Sequence, residues 1–144
     1  MTLSPDKIAT LRSSWSDAAP HADALLTRFY AILFEMAPDA AAMFAGTDME
    51  AQKSKLGAAL GLVIREIETP GKILPALHAL GRRHAAFGVA QADYDVVGAA
   101  LLAAFAETLG DAFCDTTREA WATAYATVAA AMIAGGAEDG RICA

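Results

Sequence analysis

Bulky apolar residues recur at steps of three and four along most of the chain, and nowhere do they alternate at every second position. A 3.6-residue period gathers them on one stripe of a helix, so the pattern predicts an all-α fold without strands. Ile8, Leu11, Trp15 and Ala18 mark a first helix opened by Ser4-Pro5. Pro20 is expected to begin a second helix, with Leu25, Leu26, Phe29, Tyr30, Leu33 and Phe34 on it. Pro38 stops that helix and starts a short one ending at Phe44. Gly46-Thr47-Asp48 reads as a loop and cap for a third long helix carrying Met49, Gln52, Leu56, Leu60, Val63 and Ile67.

After a turn at Thr69-Pro70-Gly71, Leu77, Leu80, His84 and Phe87 share a face of the next helix, which Gly88 ends. Asp93 is expected to cap a helix with Tyr94, Val97, Leu101, Phe105 and Leu109. Thr116 with Glu119 reads as the capping box of the last helix. Six major helices result, with the short one after Pro38, in a single domain over residues 1–144; Gly135-Gly136 and the tail beyond Ala137 are expected to fray.

The polar members of these stripes are the informative ones. His84 sits in an apolar row, where an imidazole needs either a buried hydrogen-bond partner or a metal. Gln52 lies among Met49, Leu56 and Leu60, and Tyr30 shares the apolar side of the second helix. Each has a plain structural explanation: a satisfied core histidine, an amide at a helix edge reaching water, and a buried ring with a wet hydroxyl. Taken together, an imidazole, a phenol and an amide on separate helices could instead converge on one apolar pocket. Haem iron asks for that set: a neutral histidine nitrogen as ligand, apolar walls, and hydrogen-bond donors opposite for a polarised dioxygen.

Composition narrows the alternatives. The 144 residues are 56% hydrophobic with a net charge of −6, and the eleven Lys and Arg are scattered apart from Arg82-Arg83, so no nucleic-acid partner is expected. Ala120 to Ala137 carries no charge, but Trp121, Tyr125, Val128 and Met132 form a single stripe, the mark of a core helix and not of a membrane span. The N-terminus lacks the basic start and apolar run of a secretory signal, and Cys114 and Cys143 lack C-x-x-C spacing; both features suggest a cytoplasmic protein with free thiols. His21, His78 and His84 have no zinc-site spacing, and no H-E-x-x-H, P-loop or G-x-S-x-G occurs.

The chain resembles single-domain bacterial haemoglobins and the globin module of flavohaemoglobins over nearly its whole length. In FYAILFEMAPDAAAMF, Tyr30 matches the distal tyrosine, Pro38 the proline opening the short helix, and Phe44 the phenylalanine that wedges against the haem. In DMEAQKSKLGAAL, Gln52 and Leu56 match the distal glutamine and leucine. LGRRHAAFGVAQADYDVVGAALL is similar to the proximal region, with His84 as iron ligand and Tyr94 beside it, and EAWATAYATVAAAMI resembles the closing helix.

The resemblance implies a globin fold around haem b, its cavity also lined by Leu80, Val89 and Val97, with Lys55 the first choice among Lys53, Lys55, Arg82 and Arg83 to meet a propionate. It departs from the pattern at Gly136, where relatives carry a glutamate that polarises the proximal histidine; Glu138, two residues on, is a poor substitute.

What the resemblance implies is reversible binding of dioxygen and of other diatomic gases such as nitric oxide and carbon monoxide. Storage, delivery and protection against nitric oxide are all compatible with it. The enzymatic alternative is a nitric oxide dioxygenase. No flavin or nicotinamide domain is expected to follow, so turnover would need an external reductase. A third alternative is a haem-less globin-like interaction module in which His84 is merely packed.

Overall fold

The structure, a computed structural model, describes residues 3–143, with side chains as far as Ala137. Seven α-helices follow one another: α1 (Pro5–Ala18), α2 (Ala22–Met36), the short α3 (Pro38–Met43), α4 (Met49–Arg65), α5 (Leu74–Ala86), α6 (Gln91–Leu109) and α7 (Asp115–Cys143). Short 3-10 turns precede α2, α5 and α7, and no strand occurs among the described residues. The six long helices and the short one after Pro38 are those the hydrophobic period predicts.

Local chemistry explains most boundaries. Ser4 Oγ accepts from the Lys7 amide at 3.2 Å, and Asp48 Oδ1 accepts from the amides of Glu50 and Ala51 at 3.1 and 3.2 Å, each satisfying amides that have no partner within the helix. Gly88 ends α5 at φ +86°, a left-handed conformation that costs glycine nothing.

Five expectations are corrected, the first four of them at helix ends. Pro20 lies in a 3-10 turn, Ala19–His21, and α2 proper begins at Ala22. Asp93 is not the cap of α6: it stands three residues inside, and its Oδ2 reaches back to accept from the Ala90 amide at 2.8 Å. Thr116 does not cap α7, because the helix already starts at Asp115. Cys114 takes the preceding position, its carbonyl accepting from the Arg118 amide at 2.9 Å and its thiol lying 3.6 Å from the Thr117 hydroxyl. Phe87 leaves the apolar face of its helix and is 77% exposed, since α5 has ended one residue before it.

Gly135 and Gly136, expected to fray, lie inside α7. The reason is a close crossing with α5. A Cβ on Gly81 would fall 1.8 Å from the Met132 carbonyl oxygen, and one on Gly135 would fall 2.3 Å from the His78 carbonyl oxygen, so the two backbones meet directly. Glu138 and Cys143 lie outside the described side chains, as does the rest of the tail.

Two apolar clusters result. The larger unites α1, α2, α4, α6 and α7 through Leu11, Leu25, Leu26, Phe29 and Phe105, with the Phe105 ring 4.3 Å from that of Trp121. One buried polar link crosses it: Trp121 Nε1 donates to Ser14 Oγ at 2.8 Å, and Ser14 donates onward to the Thr10 carbonyl at 2.7 Å. The smaller cluster ties α5 to α7 and the start of α6 through Ile73, Leu77, Tyr94, Ala129 and Met132. Residues 115–137 are long and apolar enough to cross a membrane by length and composition alone, yet this helix packs on α1, α5 and α6 and buries Trp121 and Met132, as a core helix does.

Candidate functional site

The sequence-predicted residues assemble into two groups, one on each apolar cluster. Tyr30 is the centre of the first. Its ring is 6% exposed and lies 5.5 Å from Phe44, 5.9 Å from Phe34 and 4.8 Å from Phe29, so α2 and the end of α3 hold it in an aromatic box. Burial raises its pKa above the ordinary phenol value, and a hydrogen bond from the Gln52 side chain acts in the opposite direction. Tyr30 therefore keeps its proton throughout the neutral range and stays a donor. Leu56, one turn after Gln52 on α4, and Val97 on α6 are half-buried against the same cluster.

His84 is the centre of the second group. Its Nδ1 lies 2.8 Å from the Leu80 carbonyl oxygen one turn back on α5. A carbonyl can only accept, so the proton belongs on Nδ1, and Nε2 keeps its lone pair. Among the described residues Nε2 has no hydrogen-bond partner. The Tyr94 ring stands 6.3 Å from the imidazole, and Val89 is tied to the same turn by its amide, which donates to the His84 carbonyl at 3.0 Å. Leu80 and Val89 are half-buried against the smaller cluster. Tyr125 fixes this end of α6 by donating to the Tyr94 carbonyl at 2.6 Å.

The helices carrying the two groups stand apart. The substantial contacts run from α5 to α7, from α2 to α6 and from α2 to α4, while α4 and α5 scarcely touch. Phe44, Leu56, Leu80, Val89 and Val97 are half-buried, so each presents some apolar surface beside one of the two groups. A flat apolar group with a metal at its centre fits the chemistry of this set: an imidazole nitrogen without a protein partner among the described residues, apolar neighbours, and a phenol and an amide as hydrogen-bond donors.

Gly136 falls where the departure in the sequence places it, against α5. A Cβ there would stand 3.2 Å from Ala85 Cβ and 3.3 Å from the Gly81 carbonyl oxygen. Among the described residues the only hydrogen-bond partner of His84 Nδ1 is a backbone carbonyl, and no carboxylate reaches it.

The cations divide. Lys55 and Arg83 are exposed, Arg82 is half-buried, and none of the three is in an ion pair among the described residues, whereas Lys53 is engaged with Asp23 and Glu50 at 2.9 Å each. Phe34 completes the aromatic box without having been singled out in the sequence. Its place four residues after Tyr30 was the available signal, masked because aromatic residues at helical spacing are ordinarily just core.

Comparison with known proteins agrees with this fold. The globin family model matches residues 27–132. A flavohemoprotein of Bordetella parapertussis is 30% identical over 133 residues, covering 91% of this chain and 33% of that protein. A flavohemoprotein of Chromobacterium violaceum is 34% identical over 122 residues, 83% of this chain and 30% of that one. The chain thus spans about a third of the length of these curated relatives.

Among solved structures, an engineered carbene transferase of Rhodothermus marinus, provisionally named a nitric oxide dioxygenase, superposes with a TM-score of 0.87 at 29% identity over 99% of both chains. A bacterial globin of Campylobacter jejuni superposes with a TM-score of 0.79 at 24% identity over 94% of this chain and 97% of that one, a likeness of fold. The family model over most of the chain and these relatives establish that the chain belongs to the globin family.

Proposed function

We propose that this globin binds haem b through His84 Nε2 and takes up dioxygen, and other diatomic gases such as nitric oxide and carbon monoxide, on the side of Tyr30 and Gln52. The observation that carries the reading is the setting of His84: its Nδ1 lies 2.8 Å from the Leu80 carbonyl oxygen, a contact that orients the ring and leaves Nε2 as the nitrogen available to coordinate. Haem supplies the iron at which a diatomic gas is held and polarised.

The chain's own residues do the rest. Tyr30 donates a hydrogen bond to the polarised gas, and Gln52 orients that phenol or adds a second donor. Phe44, Leu56, Leu80, Val89 and Val97 keep bulk water from the pocket, and Lys55 pairs with a propionate. Among the described residues the partner of Nδ1 is a carbonyl and not a carboxylate, so no carboxylate strengthens the ring as an electron donor. A neutral proximal ligand favours reversible gas binding over O–O cleavage.

A second reading, nitric oxide dioxygenase activity fed by a separate reductase, is favoured by the provisional name of the Rhodothermus marinus protein and by the flavohemoprotein relatives. Nitrate formation from nitric oxide under steady reduction separates it from simple binding.

The test of the first reading is spectroscopic. Purified protein supplied with haem is expected to show a Soret band that shifts on reduction and again with carbon monoxide. His84→Ala is expected to lose haem or to change the ferrous and carbonyl spectra. Wild-type protein that retains no haem, or an unchanged His84→Ala spectrum, refutes the assignment.

A further inference from the structure

Tyr30 and Gln52 come from different helices, so their contact depends on how closely α4 approaches α2. On α2, Asp23, Thr27, Tyr30 and Phe34 follow steps of four, three and four and so share one stripe. That stripe faces α4, where the Gln52 side chain lies close enough to the Tyr30 phenol to influence its pKa and Lys53, the next residue, reaches Asp23 and Thr27 one turn earlier on α2.

Lys53 Nζ stands 2.9 Å from Asp23 Oδ1, 3.0 Å from Thr27 Oγ1 and 2.9 Å from Glu50 Oε1. An ammonium group has three hydrogens to donate, and each has an oxygen here. Two of those oxygens lie on α2 and the third on the first turn of α4, so one side chain bridges the helices. The Lys53 side chain is only 11% exposed, an uncommon condition for lysine, although Asp23 and Glu50 reach it from solvent at 80% and 79% exposure.

Resting on the reading of Tyr30 and Gln52 as the donors to bound gas, we propose that Lys53 is a positioning residue: its bridge from α4 to Asp23 and Thr27 of α2 sets the Tyr30–Gln52 contact and thereby the residence time of the gas. Hydrogen bonds weaken steeply as distance and angle depart from their optimum, so a small drift of α4 acts directly on the donor pair. Packing alone constrains the pair less, because Gln52 itself is half-buried.

The experiment measures the dioxygen off-rate of the haem-loaded ferrous protein by mixing its oxygenated form with carbon monoxide in a stopped-flow instrument. Lys53→Met keeps the aliphatic stem and removes the charge. It is expected to raise the off-rate about three- to tenfold, a fraction of what deleting a donor outright would give. Asp23→Asn, which loosens the bridge from the other helix, is expected to move the rate in the same direction by less. In a Gln52→Leu background, Lys53→Met is expected to change the rate by less than about twofold, since coupled residues are non-additive.

An unchanged off-rate in Lys53→Met, with Tyr30→Phe raising it, overturns the positioning role alone. An equal rise in both backgrounds also overturns it, because the lysine then acts on something other than the pair. Tyr30→Phe without effect overturns the donor reading and this proposal with it.

Discussion

The glycines where α5 crosses α7 carry a graded prediction, because the space at each differs. A Cβ on Gly81 would fall 1.8 Å from the carbonyl oxygen of Met132, and one on Gly135 would fall 2.3 Å from that of His78. Both obstacles are backbone atoms of a regular helix and have no rotamer to escape into, so alanine must push the helices apart by an ångström or more. Overpacking of this kind costs about 3 kcal/mol at the upper end of its usual range. Alanine in place of a helical glycine recovers about 1 kcal/mol.

The net loss for Gly81→Ala is then about 2 kcal/mol, which for a chain of this size lowers Tm by about 4 to 8 °C. Gly135→Ala is expected to lose a similar amount. At Gly136 the neighbours are Ala85 Cβ at 3.2 Å and the Gly81 carbonyl oxygen at 3.3 Å, so adjustments of a few tenths of an ångström suffice. Gly136→Ala is therefore expected to melt within about 2 °C of the parent, the propensity gain offsetting the squeeze.

Circular dichroism melts at 222 nm on the three variants, with and without haem, read the ranking. The reasoning fails if Gly81→Ala melts at or above the parent, or if Gly136→Ala is damaged as badly as the other two. The helices would then not meet backbone to backbone. The crossing matters for the pocket because α5 carries His84, and the smaller cluster is what binds that helix to α7.

Two further outcomes follow from the packing and the buried phenols. Ser14→Ala leaves the buried Trp121 N–H without its acceptor at 2.8 Å and is expected to destabilise by about 1 to 3 kcal/mol, read as a lower Tm. A parent-like Tm would show that water reaches the indole. All three tyrosines, Tyr30, Tyr94 and Tyr125, have pKa values raised chiefly by burial. A raised folded value means that the native state holds its proton more tightly than the unfolded chain. The associated stability is present below the free phenol value of about 10 and drains away as pH climbs through it toward the folded values. Phenolate absorbance near 295 nm is expected to appear together with loss of helical ellipticity in alkali; phenolate that develops while the helices stay intact contradicts the burial.

Much of the fold was legible because the information is local. The steps of three and four from Ile8 to Met132, with Pro5, Pro38 and Asp48 as punctuation, specify the helices through backbone geometry and capping, which depend only on near neighbours in the chain. The candidate residues stood out for a related reason. Tyr30, Gln52 and His84 stand out because a polar group on an apolar stripe needs a partner.

What the sequence left open concerns pairs of residues far apart along it. Helix boundaries were left open as well: α6 begins two residues before Asp93, which therefore braces the first turn instead of capping it, and α5 ends one residue before Phe87, which is therefore exposed. Gly135 and Gly136 read as a frayed end because nothing local shows that α5 lies against them, and a glycine chosen for close approach looks the same in sequence as one chosen for freedom. Likewise Lys53 and Lys55 are indistinguishable as letters; only the tertiary structure set one against Asp23 and Thr27 and left the other in solvent. Periodicity selects the elements and the stripe each must bury, whereas the choice among ways of burying those stripes is made by steric fit and charge pairing across the whole chain.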